Sequence, residues 1–336
     1  MTELQNSEEN ENVRPLQNKD TNNTQKKQLE IKINNPKGKT KLLGIIALFV
    51  FFCIINFSFI PAFYIIYKYI ICEQNIYVIS FFVIQYPYQL FFAKRQDWFC
   101  NTEFLQKSAN FFRTWSLTLE EPIPEKNGMI CFHPHGFLCL GFAIFSSLKG
   151  PIKVKYGFAS RGLLSMPVSG MLLKFIGVAP VNAKNMNIAM KKGECFSLLP
   201  GGFEEATLTD YDESRIFIKK RKGFIKYALK YGYSIFPCYV FGENKCFYTF
   251  KPLLNLRLLL NRFKLPGIMA YSRNIIMPNN NLDLHVVCGK AIQIPKTEHP
   301  SKELINKYHQ LYIEKLTELY NNYKVEFGYK DELKIY

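Results

Sequence analysis

The chain lacks the short motifs that identify several large classes of enzyme. Its 336 residues contain neither a Gly-x-Ser-x-Gly nucleophile elbow nor a Gly-x-x-x-x-Gly-Lys-Ser/Thr phosphate loop. The nine cysteines include no Cys-x-x-Cys pair and no spacing typical of a zinc site. Serine hydrolase and P-loop chemistry therefore lose their main support. Since most of the cysteines lie in apolar runs, we expect them to be small buried side chains in a reducing compartment.

Acidic residues are also few in relation to basic ones. The chain has 27 Asp and Glu against 43 Lys and Arg, a formal net charge of +16. Such a balance favours an anionic neighbour, which by composition alone is a nucleic acid, an acidic lipid surface or a phosphate-bearing substrate. Two apolar segments of membrane length argue against the nucleic acid, and we expect none as a partner.

The N-terminal quarter of the chain divides by composition into a tail and a hairpin. Residues 1–41 are rich in Asn, Gln, Lys and Glu, and we predict a disordered polar tail. Residues 42–95 hold two uncharged runs, Leu42 to Tyr67 and Ile76 to Phe92. Lysines precede the first run, and Lys94 and Arg95 follow the second. The positive-inside rule then places both flanks in the cytosol, which predicts a transmembrane hairpin. Pro61 leaves a re-entrant hairpin open, and two buried core helices are the competing interpretation.

Residues 96–336 show short apolar runs alternating with amphipathic ones, the pattern of an α/β domain. Helices are predicted near 164–176, 184–192 and 221–231 and, after a Ser301 N-cap, near 301–323. Strands are predicted at 129–133, 153–159, 177–182, 195–200, 234–241 and 284–289.

The segment "ICFHPHGFLCLGF" (130–142) holds two of only five histidines. In a strand, side chains two residues apart point to one face, so His133 and His135 are expected to converge. Proline between them suits a strand end, and Gly136 lets the chain turn or approach another group closely. The pattern favours a functional site over two packed core histidines. Metal binding is disfavoured, because no third ligand lies nearby in sequence.

Two further segments are candidates for chemistry. In "LLPGGFEEA" (198–206) a buried strand runs into Pro-Gly-Gly, whose backbone N–H groups could face an anion, with Glu204 and Glu205 just beyond. An ordinary strand-to-helix turn is the alternative. In "KKRKGFIKYALKYG" (219–232) four consecutive basic residues suit phosphates or anionic lipid, unless they are simply the solvated start of a helix.

Together, "FHPHG" (132–136), "PGGFEEA" (200–206), "RKGFIKYALKYGYSIFPCYVFGEN" (221–244) and "VVCGKAIQIPKTEHPSKELINKYHQLYIEKLTELY" (286–320) resemble the type-2 diacylglycerol acyltransferase family. That family also contains monoacylglycerol and wax-alcohol acyltransferases. Two of its elements are absent: the region of a Tyr-Phe-Pro motif is "RTWSLTLEEP", and "PNNNLDLH" replaces an Arg-Pro pair. The resemblance implies a mixed sheet with flanking helices, similar to the glycerolipid acyltransferases and anchored by the N-terminal hairpin.

The resemblance also implies roles for individual residues. We expect His135 to be the general base, beside the room that Gly136 leaves, with His133 in the same catalytic motif. Glu205 is expected to orient an imidazole or the acceptor. The expected oxyanion-stabilising and substrate-binding residues are Gly136, Pro200, Gly201, Gly202 and Arg221.

The predicted activity is that of an acyl-CoA:diacylglycerol O-acyltransferase making triacylglycerol. The alternatives are a monoacylglycerol or long-chain-alcohol acceptor and, in a different class, a non-catalytic lipid-droplet or membrane scaffold. Acyl-CoA is expected as co-substrate, with no cofactor and no metal; the other expected partners are the lipid acceptor and membrane lipids, and self-association is left open. The expected location is the endoplasmic reticulum membrane, with the domain of residues 96–336 facing the cytosol, and lipid droplets.

Overall fold

An eight-stranded sheet forms the centre of the protein in the computed structural model, which describes residues 29–57, 64, 67, 76–97, 104–148, 154–263, 265–273, 277–279 and 281–336. The strands are β1 (Leu29–Asn34), β2 (Thr114–Leu119), β3 (Gly128–His133), β4 (Tyr156–Ala159), β5 (Val178–Pro180), β6 (Phe196–Leu198), β7 (Arg215–Ile216), β8 (Ser234–Phe241), β9 (Tyr248–Thr249), β10 (Ala270–Tyr271), β11 (Asp283–Cys288) and β12 (Lys334–Ile335). The helices are α1 (Gly38–Phe57), α2 (Ile76–Phe91), α3 (Phe104–Lys107), α4 (Leu140–Ser147), α5 (Arg161–Ser165), α6 (Ser169–Phe175), α7 (Ala183–Lys191), α8 (Gly202–Leu208), α9 (Gly223–Tyr231), α10 (Leu254–Arg262) and α11 (Lys302–Lys324).

The sheet is mixed, with strand order β1-β2-β11-β8-β3-β6-β4-β5. Strands β8, β3, β6, β4 and β5 are parallel to one another, β11 is antiparallel to β8, and β1 is antiparallel to β2. The predicted mixed α/β sheet with flanking helices is therefore confirmed, as are all six predicted strands. Strands β1 and β2 were not predicted.

Helices cover both faces of the sheet because the buried strands are apolar on both sides. On one face Phe132 and Val240 pack with Phe145 of α4. On the other face Tyr239 packs with Leu229 of α9 and with residues of α11 such as Leu316. The Ser301 side chain caps α11 by accepting the N–H of Leu304 (3.2 Å), as its position before the apolar stripe predicts.

The carboxyl ends of the parallel strands meet at one edge of the sheet, here called the carboxyl edge. Strand β3 ends there at His133, and β6 and β8 lead there into the loops before α8 and after Phe241. The antiparallel partners β11 and β2 begin at this edge, since Phe241 pairs with His285 and Asp283 with Thr114. Ligand sites of open α/β sheets form at such an edge.

The predicted polar tail needs a correction at its C-terminal end. Residues 29–34 form strand β1, which pairs with β2 in the register Leu29↔Leu119 to Asn34↔Thr114. Leu29, Ile31 and Ile33 alternate with polar residues and pack against the core. That two-residue alternation was a strand signal in "LEIKIN", masked by the polar composition around it. Residues 1–28 lie outside the described residues.

The two apolar segments of the predicted hairpin contain α1 and α2. Leu48 and Phe52 of α1 are buried against the domain core, so the predicted boundary at residue 95 does not separate this helix from the domain. The predicted turn between the segments lies outside the described residues, as does the end of the first segment after Phe57 apart from Tyr64 and Tyr67. Within the described ranges, no helix combines the length and apolar character needed to cross a membrane.

Candidate active site

A buried histidine–glutamate pair lies at the carboxyl edge. The Nδ1 atom of His133 is 2.9 Å from both carboxylate oxygens of Glu205, and neither side chain has exposed surface. On its other side, His133 Nε2 is 3.0 Å from the hydroxyl of Tyr312 on α11. Residues 129, 131 and 133 of β3 share one face of the sheet, which directs His133 towards α11.

The partners of His133 define its tautomer. A carboxylate only accepts hydrogen bonds, so Nδ1 carries the proton and its N–H donates a hydrogen bond to Glu205. In the neutral imidazole Nε2 is then the acceptor for the Tyr312 hydroxyl. Burial raises the pKa of Tyr312, which keeps this hydroxyl protonated as a donor. Both nitrogens of His133 are thus occupied by protein groups, and none faces a substrate.

Glu205 is held in place by backbone as well as by His133. It lies on α8, directly after β6 and the Pro-Gly-Gly turn, and its Oε2 accepts the N–H of Phe217 (2.8 Å). The carboxylate packs so closely on Gly201 that a Cβ there would lie 2.2 Å from Oε2. Gly201 is therefore needed for space, a role that differs from the predicted oxyanion contact.

His135 has a different environment. Strand β3 ends at His133, so the alternation that predicted convergence of the two imidazoles does not extend to His135. Its side chain is half-buried, with Nδ1 2.9 Å from the Gly136 carbonyl, and the Cys139 sulfur lies 3.2 Å from Nδ1 and 3.6 Å from Nε2. When Nδ1–H donates to that carbonyl, Nε2 keeps its lone pair. Burial lowers the pKa of His135, and the nearby Glu205 carboxylate opposes that shift, so the ring is mainly neutral at pH 7.

Glu243 is a residue of the site that the sequence analysis missed. It follows β8 and is buried, and its carboxylate accepts the N–H groups of Leu140 (2.9 Å) and Gly141 (2.8 Å) at the start of α4. Burial raises the pKa of Glu243 to about 7, against the lowering effect of those two bonds. The signal was an acid directly after a buried strand, in the "FGEN" that ends the third quoted motif.

Gly136 is explained by its contact with Glu243. Its backbone has a φ of +63°, and a Cβ at this position would lie 2.5 Å from the Glu243 Cγ. Glu243 thus holds the loop that carries His135 at two points, the turn at Gly136 and the start of α4.

The remaining predicted residues lie around the α8 turn. The N–H of Gly202 was predicted to stabilise an oxyanion, but it donates to the Leu199 carbonyl (3.2 Å). The half-buried Pro200 stands at the end of β6. Arg221 pairs with Glu204 and lies over the Phe217 ring, 5.5 Å from its centroid. Its Nε is buried and has no hydrogen-bond partner among the described residues.

A metal site needs at least three ligands close together. Across the part of the chain that the structure describes, no three His, Cys, Asp or Glu side chains are placed to share a metal ion.

Sequence comparison identifies the family. The profile of the diacylglycerol acyltransferase family matches residues 63–336, most of the chain. The protein belongs to this family, which confirms the predicted family and the predicted class of enzyme, an O-acyltransferase.

Two relatives named as O-acyltransferases agree with this assignment. Human 2-acylglycerol O-acyltransferase 3 is 26% identical over 262 residues, covering 70% of this chain and 76% of the relative. Zebrafish (Danio rerio) diacylglycerol O-acyltransferase 2 is 27% identical over 261 residues, with 70% and 72% covered. Among solved structures, the 1-acyl-sn-glycerophosphate acyltransferase PlsC of Thermotoga maritima aligns with a TM-score of 0.40 and 11% identity, over 82% of this chain and 95% of that one.

Proposed function

We propose that the protein transfers an acyl group from acyl-CoA to the free hydroxyl of diacylglycerol, forming triacylglycerol. The observation that carries the proposal is the half-buried, mainly neutral His135 beside a fully buried His133–Glu205 pair, in a chain of the diacylglycerol acyltransferase family. The pair and Glu243 fix the loop, and His135 offers the basic nitrogen.

The reaction is a direct transfer. As the acceptor oxygen attacks the thioester carbonyl carbon, His135 Nε2 takes the hydroxyl proton, and a tetrahedral oxyanion forms. Collapse of this intermediate breaks the carbon–sulfur bond, and the imidazolium returns the proton to the leaving sulfur. The products are the ester and free coenzyme A. The Nδ1–H bond to the Gly136 carbonyl keeps the imidazole oriented through both proton transfers.

Arg221 is the proposed contact for the acyl-CoA donor. It lies on the segment that supplies the Phe217 N–H to Glu205, and its neighbours Lys219 and Lys220 are exposed. The phosphates of coenzyme A are anionic, and the Arg221 side chain is 38% exposed, so its guanidinium can meet them from solvent. Glu204, its present partner, would share Arg221 with the phosphate.

Diacylglycerol is proposed over two other acceptors. Relatives named as diacylglycerol O-acyltransferases favour it, while the relative named 2-acylglycerol O-acyltransferase 3 supports monoacylglycerol as the second candidate. A long-chain alcohol is the third.

We propose an endoplasmic reticulum location, with the domain facing the cytosol and with access to lipid droplets. Both substrates of the proposed reaction meet at a membrane surface, since acyl-CoA is amphiphilic and the acceptor is a lipid. Leu42, Ile46 and Phe49 on α1 and Ile84 and Phe91 on α2 present exposed apolar side chains, which suit contact with lipid.

The test is an acceptor panel. Microsomes or purified protein receive labelled acyl-CoA with diacylglycerol, monoacylglycerol or a long-chain alcohol, and the lipid products are separated. We expect triacylglycerol as the main product. A preference for wax ester would refute the acceptor, and absence of transfer to all three would refute the activity.

A further inference from the structure

Helix α10 has its polar and apolar sides reversed relative to a normal surface helix. Arg257 and Asn261, one turn apart, are buried, with 5% and 8% of their surface exposed. Leu256 and Phe263 are 53% and 70% exposed. In a water-facing helix the charged side points outwards. The exposed apolar residues of this helix and its flanks are Phe250, Leu253, Leu256, Leu259, Leu260, Phe263, Leu265 and Met269.

The buried polar side of α10 attaches the helix to the site. Asn261 donates to the Phe203 carbonyl (3.3 Å) and lies 3.0 Å from the Thr207 hydroxyl, both on α8. Arg257 donates to the carbonyls of Pro252 (3.0 Å) and Lys251 (3.2 Å), which closes the loop before the helix. Helix α8 also carries Glu205, so the apolar outer side of α10 is anchored one helix away from the buried pair.

Charge in this part of the chain has one sign. Residues 250–273 contain five basic residues and no Asp or Glu. Arg262 and Arg273 are exposed, and Lys251, also exposed, pairs with Asp210 (3.2 Å) and Asp212 (2.8 Å). A short helix with an exposed leucine stripe and flanking cations has the character of an element that lies in the interface of a membrane with anionic lipids.

The topology places this segment at the same edge of the sheet as other exposed apolar surface. It follows β8 at the carboxyl edge. Helix α1 begins at the same edge, since β1 ends at Asn34 opposite Thr114, where β2 starts. Gln89 of α2 donates to the carbonyls of Leu164 and Met166, in the segment that follows β4 at this edge. Three apolar segments far apart in sequence thus lie along the edge at which β3 leads to His135.

We propose that residues 250–271 form an interfacial membrane contact that lies on the lipid surface and brings α8 and the site against it. The occupant of the leucine stripe is the surface of a bilayer that contains anionic lipid. The acceptor then reaches His135 from the lipid phase along this contact. The access role rests on the proposed function; the membrane contact does not.

Fluorescence quenching tests the contact directly. The full chain carrying Phe263→Trp is reconstituted in phosphatidylcholine–phosphatidylserine vesicles that contain brominated phosphatidylcholine, and the wild-type signal is subtracted. We expect the added tryptophan to be quenched. Ile188→Trp on α7, where the native side chain is 45% exposed, is the matched control and should not be quenched. If the Phe263→Trp signal is unquenched and water-exposed, the proposal is overturned. It is also overturned if the emission is blue-shifted without lipid and copies of the chain cross-link, because the segment is then a dimer contact.

Kinetics test the access role. The triple variant Leu256→Gln/Leu260→Gln/Phe263→Gln should raise KM for vesicle-borne acceptor about tenfold, because glutamine removes the apolar side chains that hold the segment in lipid. Its KM for acyl-CoA should stay within about twofold of wild type, and Ile188→Gln should change neither. Equal acceptor KM in the triple variant and wild type refutes the access role. If the wild type transfers no acyl group at all, the proposed function fails, while the quenching result still decides the contact.

Discussion

Replacing each histidine of the HPH segment by alanine separates chemistry from stability. His135→Ala removes the proposed base from a half-buried position, where it is bonded to the carbonyl of its neighbour Gly136. Loss of a general base lowers the rate by about 10²–10⁴-fold, or about 3–5 kcal/mol of activation free energy. The cost in folding stability should be only about 1 kcal/mol, the typical value of one hydrogen bond.

His133→Ala should act in the opposite way. It leaves the fully buried Glu205 with the Phe217 N–H but without its imidazole partner. Leaving a buried acceptor without its donor costs about 1–3 kcal/mol, and more for a charged group such as this carboxylate. Domains have about 5–15 kcal/mol of stability in total, so this variant should be much less abundant. His133→Gln, which can donate to Glu205, should recover part of the loss.

The assay measures acyl transfer per molecule of membrane-bound protein, together with abundance and thermal unfolding. For His135→Ala we expect normal abundance and transfer at least a hundredfold lower. The pH profile adds a check. Because burial lowers the pKa of His135 below its ordinary 6.5, wild-type kcat/KM should hold to below pH 6.5 and fall only as the imidazole becomes protonated. The reasoning is refuted if His135→Ala keeps more than about a tenth of the activity while a folded His133 variant has none.

Three further outcomes follow from contacts around the site. Gly136→Ala should lower the unfolding temperature and the activity, because the residue has a φ of +63° and the new Cβ would lie 2.5 Å from Glu243. The control Gly162→Ala, whose Cβ meets no atom within 4 Å, should lower neither. Equal effects of the two substitutions would contradict this prediction. Burial raises the folded pKa of Glu243 to about 7, against an ordinary 4.5, so the folded state binds a proton more tightly than the unfolded state. The resulting contribution to the free energy of unfolding, about 3 kcal/mol, should be complete below pH 4.5 and lost as pH rises to about 7. Thermal unfolding of Glu243→Gln should lack this slope, and an unchanged slope would exclude Glu243 as its origin. Arg221→Gln should raise KM for acyl-CoA several-fold and Lys230→Gln, at the far end of α9, should not; a change in kcat alone would rule out the donor contact.

Local sequence determined the parts of this fold that depend on short-range patterning. Strands β3, β6 and β8 are short, mainly apolar runs that are buried almost throughout, which is the pattern that predicted them. Ser301 starts α11 because an N-cap side chain needs only the next three residues. The motifs at 132–136 and 200–206 located the histidines and Glu205, since glycine and proline at strand ends leave a signal in the sequence itself. Strand β1 was missed although its alternation was present, because polar neighbours hid six residues that only pairing with β2 stabilises.

Tertiary structure alone decided which groups meet. The spacing of His133 and His135 does not indicate that His133 Nδ1 forms a hydrogen bond with Glu205, which lies 72 residues away. Nor does it indicate that His133 Nε2 contacts the Tyr312 hydroxyl. These contacts depend on the order in which β3, β6 and β8 lie in the sheet, which places distant loops at one edge. The reversed polarity of α10 is likewise invisible in "LNLRLLLNR", since a helical pattern shows two sides and only packing against α8 decides which side is buried.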